Sequence, residues 1–102
     1  MKAKQKAFTE YVSLIAEAFG IEQEHLFAKT KSRTYSTARH LLYYLCSKRP
    51  MSVTSIAMYM GENGYDTGHS SIIYGIKQAE IKVKNDRDYL RTARKIEDSV
   101  NK

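Results

Sequence analysis

Two groups of polar side chains in this sequence could do chemistry. The first is a run of cations, because residues 25–61 contain Lys and Arg but no Asp or Glu. The second is a set of hydroxyl, amide and cationic side chains that share one face of a helical pattern at residues 70–78. Cations without neighbouring carboxylates attract polyanions, and Ser, Lys and Gln can contact phosphates and base edges. Both groups indicate a polyanion partner, although charge alone leaves an ordinary solvated basic surface open.

The composition sets the broad class of the protein. The chain has 102 residues and a net charge of +6, from 17 Lys+Arg against 11 Asp+Glu, and 42% of it is hydrophobic. These values predict one domain over residues 1–102 with its own core. The single Cys46 excludes an internal disulfide framework and a Cys-rich zinc site. No apolar run is long enough to cross a bilayer. The N-terminal segment is basic but lacks the apolar stretch of a signal peptide. We therefore expect a cytoplasmic, nucleoid-associated protein.

Enzymatic and membrane-surface functions find little support. The histidines, His25, His40 and His69, form no metal-binding pair, and the sequence has no Gly-rich phosphate loop. His69 and Ser70 are adjacent on a predicted helix and diverge by about 100°, so they do not form a nucleophile–base pair. We therefore predict no catalytic residue, metal or cofactor. A membrane-surface helix at the basic N-terminus is disfavoured, because its apolar stripe is needed for the core.

Apolar residues recur at helical spacing almost throughout, which predicts an all-α chain. A left-handed Gly20 is expected to end the first helix, Pro50 to stop the central one, and Ser52 and Asn85 to cap the starts of the helices that follow them. The segment 29–34 is expected to be a polar basic loop. The predicted helices span 7–19, 23–28, 36–48, 53–60, a stretch from residue 69, and 86–100.

The helix that begins near His69 has two contrasting faces. The predicted buried face is apolar and consists of Ile72, Ile73, Ile76 and Ala79. The predicted exposed face carries no acid and consists of Ser70, Ser71, Tyr74, Lys77 and Gln78. Ile81 falls on the polar side, which predicts that the helix bends or ends there. Two helices joined by a glycine-containing turn, the second with a small polar outer face, are typical of a helix-turn-helix.

Three segments carry a resemblance to a known family. They read EYVSLIAEAFGIEQEHLFAKTKSR, ARHLLYYLCSK and MSVTSIAMYMG…GHSSIIYGIK. From about residue 8 to 79 the chain resembles the C-terminal DNA-binding domain of the bacterial replication initiator DnaA, as a free-standing small protein. The resemblance implies a compact bundle of five to six helices that contains a helix-turn-helix and is similar to the Trp repressor. Residues 85–100 would add a further helix.

The resemblance also implies contacts with double-stranded DNA. Lys31 matches a basic loop residue that reaches the minor groove, and Arg39 matches a residue directed at the DNA backbone. The segment His69-Ser70-Ser71 matches the start of the recognition helix, which reads the major groove. The full set implied by the resemblance and the helical face is Lys29, Lys31, Ser32, Arg33, Arg39, His69, Ser70, Ser71, Tyr74, Lys77 and Gln78.

The sequence departs from the family pattern in ways that bear on its role. Thr67-Gly68 replaces an Arg-Asp pair, so an arginine that could read guanine is missing. The turn before His69 is longer, and Tyr65 or Asp66 is a hypothetical reader within it. Without a phosphate loop, the resemblance implies a small transcription or replication regulator, of phage or mobile-element type, that lacks ATPase activity. The alternative is a module that binds a replication or transcription protein, and the last helix could support a homodimer.

Overall fold

The computed structural model describes residues 3–100. Within this range the chain forms five α-helices and one 3₁₀ helix, without a strand. The prediction of an all-α fold with five to six helices is confirmed. In chain order the elements are α1 (Ala3–Phe19), the 3₁₀ helix (Gln23–Phe27), α2 (Arg33–Lys48), α3 (Val53–Glu62), α4 (His69–Asn85) and α5 (Arg87–Val100).

Helix α1 buries the apolar stripe expected from its spacing. Phe8, Val12 and Ile15 are all buried. Gly20 has a φ of 66°, the left-handed conformation that glycine adopts without a steric penalty. The amide that follows it, that of Ile21, donates a hydrogen bond of 3.0 Å back to a carbonyl in the last turn of α1. Gly20 therefore ends α1 as predicted.

Helix α2 lies at the centre of the bundle and packs against every other helix. Leu41, Leu42 and Leu45 are fully inaccessible to solvent, as is Cys46. Burial raises the pKa of the Cys46 thiol well above its ordinary value, because the thiolate cannot be solvated there. Cys46 is therefore a core residue rather than a reactive one.

The basic segment is shorter than expected, because α2 begins earlier than predicted. The Tyr35 amide donates a hydrogen bond of 3.3 Å to the Ser32 hydroxyl, which makes Ser32 the N-cap of α2. Arg33 is then the first helical residue, three positions before the predicted start. The predicted cap at Ser52 is present, since the Ser55 amide donates to its hydroxyl at 3.1 Å.

Helix α4 does not end at Ile81, and the predicted cap of α5 at Asn85 is wrong. Helix α4 continues through Ile81, which lies on its outer side and is 53% exposed, as far as Asn85. The cap of α5 is Asp86, whose carboxylate accepts hydrogen bonds from the amides of Asp88 and Tyr89 at 3.0 and 3.1 Å. Asn85 still belongs to α4, and its side chain donates instead to the Ile81 carbonyl at 2.8 Å.

Helix α5 packs back on the bundle. Its buried residues Tyr89, Ala93, Ile96 and Val100 join the core that α1, α2 and α4 share. The apolar stripe that could have paired with a second chain is thus covered within the chain itself. Among residues 3–100, no helix is both long enough and apolar enough to cross a membrane.

Candidate nucleic-acid interface

Helices α3 and α4 are joined by the turn at residues 63–68, which is folded onto the end of α3. Gly64 adopts a φ of 85° and reverses the chain. The Tyr65 amide then donates to the Met60 carbonyl at 3.0 Å, and the Asn63 side chain donates to the Tyr59 carbonyl at 2.9 Å. These bonds fix the turn and direct the half-buried Tyr65 towards the start of α2.

Helix α4 approaches α2 closely at Gly75. A Cβ atom at this position would lie 2.7 Å from Cδ2 of Tyr43 and 2.9 Å from Cδ2 of His40. Only glycine allows this approach, because such carbon–carbon distances are well below van der Waals contact. Sequence reasoning missed Gly75, although its spacing to Ala79 places two small residues on the buried face.

The buried stripe of α4 therefore differs from the predicted one. Ile72 and Ala79 are fully buried, as expected, but Ile73 is 43% exposed. Two residues along a helix correspond to about 200° of rotation, so Ile73 lies nearly opposite Gly75 and points away from α2. The prediction that Ile73 belongs to the buried face is wrong.

The first turns of α4 present the polar face that the sequence predicts. His69, Ser70, Ser71 and Lys77 are exposed, Tyr74 is 59% exposed and Gln78 is half-buried. The N-cap is Gly68, which supplies no side-chain cap, so the first amides of α4 remain open to an anion. The first acidic residue of α4 is Glu80, beyond this face.

The cations before α2 and within its first turns are of two kinds. Lys29, Lys31 and Arg33 are exposed. Arg39 is only 6% exposed, and its Nε and Nη2 donate hydrogen bonds of 2.9 Å to the carbonyls of Leu26 and Ala28. This burial differs from the expectation that Arg39 is directed at a DNA backbone, since its guanidinium is engaged inside the protein. Arg39 instead fixes the chain immediately before Lys29.

Tyr65 connects the turn to this basic segment. The Arg39 guanidinium carbon lies 4.5 Å from the centre of the Tyr65 ring, and the Lys29 ammonium lies 5.5 Å from it. Both distances are in the range of attraction between a cation and an aromatic face. Tyr65 is therefore in contact with two cations of the protein, which indicates a positioning role rather than that of a free reader.

A cleft of about 280 Å³ separates α2 from the start of α4. The Tyr74 ring meets the His40 ring edge-on, with 5.9 Å between ring centres. Burial, and then the nearby charges of Arg39 and Lys82, hold the pKa of His40 below its ordinary value. Hydroxyl groups and aromatic rings dominate the walls, and no carboxylate is among them. The lining residues are Arg39, His40, Tyr43, Tyr65, Thr67, Ser70, Ser71 and Tyr74.

This chemistry suits an anionic or neutral partner rather than a cation. In the part of the chain that the structure describes, no group of three or more His, Cys, Asp or Glu side chains could hold a metal ion. The cleft and Tyr65 bring the hydroxyls of Ser70 and Ser71 into the same region as Lys29. Tyr65 thus links Lys29 to the cleft that Ser70 and Ser71 line, and we call this region the cleft surface.

Comparison with protein families agrees with this geometry. The family model described as "Bacterial dnaA protein helix-turn-helix" matches residues 10–79, more than half of the chain and the stretch from α1 into α4. Comparison with curated protein sequences gives no match. The domain that defines this family binds double-stranded DNA. The chain belongs to the bacterial DnaA helix-turn-helix family.

Proposed function

We propose that the protein binds double-stranded DNA in a sequence-specific manner and acts as a small transcription or replication regulator without ATPase activity. In this proposal the N-terminal half of α4 enters the major groove, and the basic segment at residues 29–33 follows the backbone into the neighbouring minor groove. Residues 1–102 act as one domain, in the cytoplasm and in association with the nucleoid. The sequence has no phosphate loop, which supports a function without ATP hydrolysis.

The observation that carries the proposal is the contact of Tyr65 with Lys29 and Arg39. It joins the turn that precedes α4 to the segment that bears the exposed cations. A duplex that receives α4 in one groove then has phosphates within reach of Lys29 and Lys31. Contacts to phosphates set affinity and register, while contacts to base edges set specificity.

The residues of this surface divide into three roles. Lys29, Lys31 and Arg33 neutralise phosphates or line the minor groove, and Lys77 meets the backbone further along α4. Base edges and nearby phosphates are contacted by His69, Ser70, Ser71, Tyr74 and Gln78. Ser32 and Arg39 act indirectly, Ser32 as the cap of α2 and Arg39 by holding the chain before Lys29.

The salt dependence of binding tests the basic segment. Lys31→Ala should weaken binding and lower the slope of log K against log salt by about 0.9, because one phosphate contact releases about one counterion. The control is Lys95→Ala, which removes the same charge from the exposed side of α5. Titrations of a labelled duplex between about 50 and 200 mM salt measure both slopes. Equal slopes for the two variants would show that Lys31 makes no local phosphate contact.

A charge placed on α4 tests the recognition helix. Ser71→Glu sets a carboxylate against the phosphates and should reduce binding by about 100-fold or more. Its melting temperature should stay close to that of the unaltered protein, because Ser71 is exposed. Ser13→Glu adds the same charge to the exposed side of α1 and serves as the matched control. Full binding by a folded Ser71→Glu variant would remove α4 from the interface.

The alternative function is a module that binds a replication or transcription protein through the same surface. The observation in its favour is the exposed apolar side chains of α4, since Ile73 and Ile81 are 43% and 53% exposed. Exposed apolar side chains are common at protein interfaces. A gel shift with random duplex DNA at low and moderate salt separates the two functions. A DNA-binding protein should shift the duplex at low salt and less at moderate salt, whereas a module that binds only a protein should give no salt-sensitive shift.

A further inference from the structure

The positive charge of the chain is concentrated in two segments. The first, residues 25–61, has no acid and includes the basic segment before α2. The second, residues 82–94, has five Lys and Arg against two Asp, and it covers the end of α4 and the first half of α5. The rest of the chain is net acidic, with nine Asp and Glu against six Lys and Arg. The proposed function gives the second segment no role.

Three arginines of the second segment follow one line along α5. Arg87, Arg91 and Arg94 are spaced four and three residues apart, and all are exposed. At 100° per residue they fall within about 60° of one another, on the side of α5 opposite its buried residues. We call these three residues the arginine line, which extends about 10 Å along the helix axis.

The protein itself neutralises little of this charge. Within residues 3–100, the carboxylate that pairs with the arginine line is that of Asp88, whose Oδ1 lies 3.6 Å from Nη1 of Arg91. Both side chains are largely exposed, so water screens the pair and it adds little stability. Asp86 is engaged as the cap of α5, and Asp98 follows at the far end of the line. The line therefore presents its cations to solvent.

The stability of α5 gives no reason for this arrangement. The first turn of a helix bears a partial positive charge, which favours acids there and disfavours cations. Arg87 is nevertheless the first residue of α5. An anion bound at this end is favoured both by the arginines and by the helix dipole. A guanidinium group can also bind a phosphate through two parallel hydrogen bonds, which a lysine ammonium does not.

The arginine line faces a different side of the molecule from the cleft surface. Helix α5 meets α2 at Thr37, whose carbonyl accepts a hydrogen bond of 3.5 Å from the Tyr89 hydroxyl. It also meets α2 at Lys48, whose ammonium lies 3.3 Å from Oε2 of Glu97. Thr37 and Lys48 share one side of α2, whereas Tyr43 of the cleft lies about 120° round the helix from Thr37. A straight duplex on the cleft surface therefore does not also lie along the arginine line.

We propose that the arginine line binds the phosphate backbone of a second segment of duplex DNA, so that one protein molecule bridges two duplexes. The inference rests on the proposed function, which assigns the first duplex to the cleft surface. Each strand of a duplex carries one phosphate per about 3.4 Å of its axis, so a line of about 10 Å can meet three phosphates. Phosphate contacts carry no sequence information, and the second duplex is bound without base preference.

A capture assay tests the bridge. Short hairpin duplexes of random sequence are fixed to beads, the whole chain is added, and the beads then receive the same duplexes with a fluorescent label. The unaltered protein should hold the label on the beads at about 50 mM salt. Three phosphate contacts should weaken this second binding step by about 40-fold between about 50 and 200 mM salt.

The variant that tests the line combines Arg87→Gln, Arg91→Gln and Arg94→Gln. Glutamine has nearly the same helix propensity as arginine, so the melting temperature should stay close to that of the unaltered protein. This variant should fail to capture the label, and it should bind a single duplex with an affinity and salt slope close to those of the unaltered protein.

The matched control removes the same charge elsewhere, through Lys4→Gln, Lys6→Gln and Lys95→Gln. These lysines are exposed and lie outside the arginine line, and Lys95 lines a groove between α5 and α1. The control should capture the label as the unaltered protein does. Equal loss of capture by both triple variants would show that net charge alone is responsible, and would overturn the inference.

The other outcomes separate the inference from the proposed function. Salt-sensitive binding of single duplexes without capture of the label overturns the bridge and leaves the proposed function intact. Capture that persists in the arginine variant also overturns the inference, because the protein then joins duplexes by self-association. A smaller salt slope of that variant on single duplexes does the same, since the line then contacts the first duplex. Absence of salt-sensitive binding to any duplex overturns both the inference and the proposed function.

Discussion

The close approach of α4 to α2 leads to a prediction that opposes the usual rule for glycine in helices. In an ordinary helix interior, Gly→Ala stabilises by about 0.5–1 kcal/mol, because alanine loses less backbone entropy on folding. Gly75→Ala should instead destabilise the protein. Its new methyl would lie 2.7 Å from Tyr43 and 2.9 Å from His40.

The surroundings decide the size of this effect. Tyr43 is only 2% exposed and is part of the core, so its ring cannot swing into solvent. Relief requires α4 to move away from α2, which disturbs the packing of Ile72 and Ala79. Inserting a methyl into a packed interior costs about 1–3 kcal/mol. After the gain in helix propensity, the net loss is about 0.5–2 kcal/mol, or about 2–16 °C in melting temperature for a domain of this size.

Thermal unfolding followed by circular dichroism measures this loss, with Gly61→Ala as the matched control. Gly61 is also helical, but the nearest atom to a Cβ there is the Asp66 Oδ1 at 4.0 Å. The control should therefore gain about 0.5–1 kcal/mol from propensity alone. A Gly75→Ala protein that melts as high as Gly61→Ala would refute the argument that glycine is needed for the contact between α4 and α2.

Three further predictions follow from single side chains. Arg39→Ala should lower the free energy of unfolding, measured in urea, by about 3 kcal/mol, because two charge-assisted hydrogen bonds to carbonyls are lost. An unchanged urea concentration at the midpoint of unfolding would contradict this. Asp86→Ala should lower it by about 1 kcal/mol through loss of the α5 cap, and Asn85→Ala by clearly less; the reverse order would restore Asn85 as the cap. The pKa of His40 is lowered in the folded state, so the free energy of unfolding should fall as the pH decreases below the ordinary histidine pKa of about 6.5. His40→Gln should weaken this pH dependence of the melting temperature, and identical pH dependence in the two proteins would exclude His40 as the cause.

Helix content and turn positions could be predicted from the sequence, because each depends on local chemistry. The stripe of Phe8, Val12 and Ile15 requires a helix to bury it, and Gly20 and Ser52 have conformational or hydrogen-bonding preferences that act over a few residues. The cap of α5 was misassigned because two neighbouring residues have the same capping ability. Both Asn85 and Asp86 can cap a helix, and only the path of the chain decides between them.

Long-range packing explains what the sequence could not reveal. Arginine is usually exposed, and the carbonyls that hold Arg39 belong to residues 26 and 28, more than ten positions earlier. No periodicity displays such a partnership. Ile73 was misassigned for a related reason, because apolar character alone does not say which side of α4 meets α2. The side is set by Gly75, the residue with the smallest side chain.

Arg39 and Tyr65 also give a physical reason for the length of the turn. A shorter connection from α3 to α4 would have less chain with which to lay an aromatic ring over the Arg39 guanidinium, 4.5 Å away. With Tyr65 in place, the chain before Lys29 and the start of α4 are held by one shared side chain rather than by two separate loops. A partner that contacts both therefore meets a surface that is already assembled, and less conformational entropy is lost on binding.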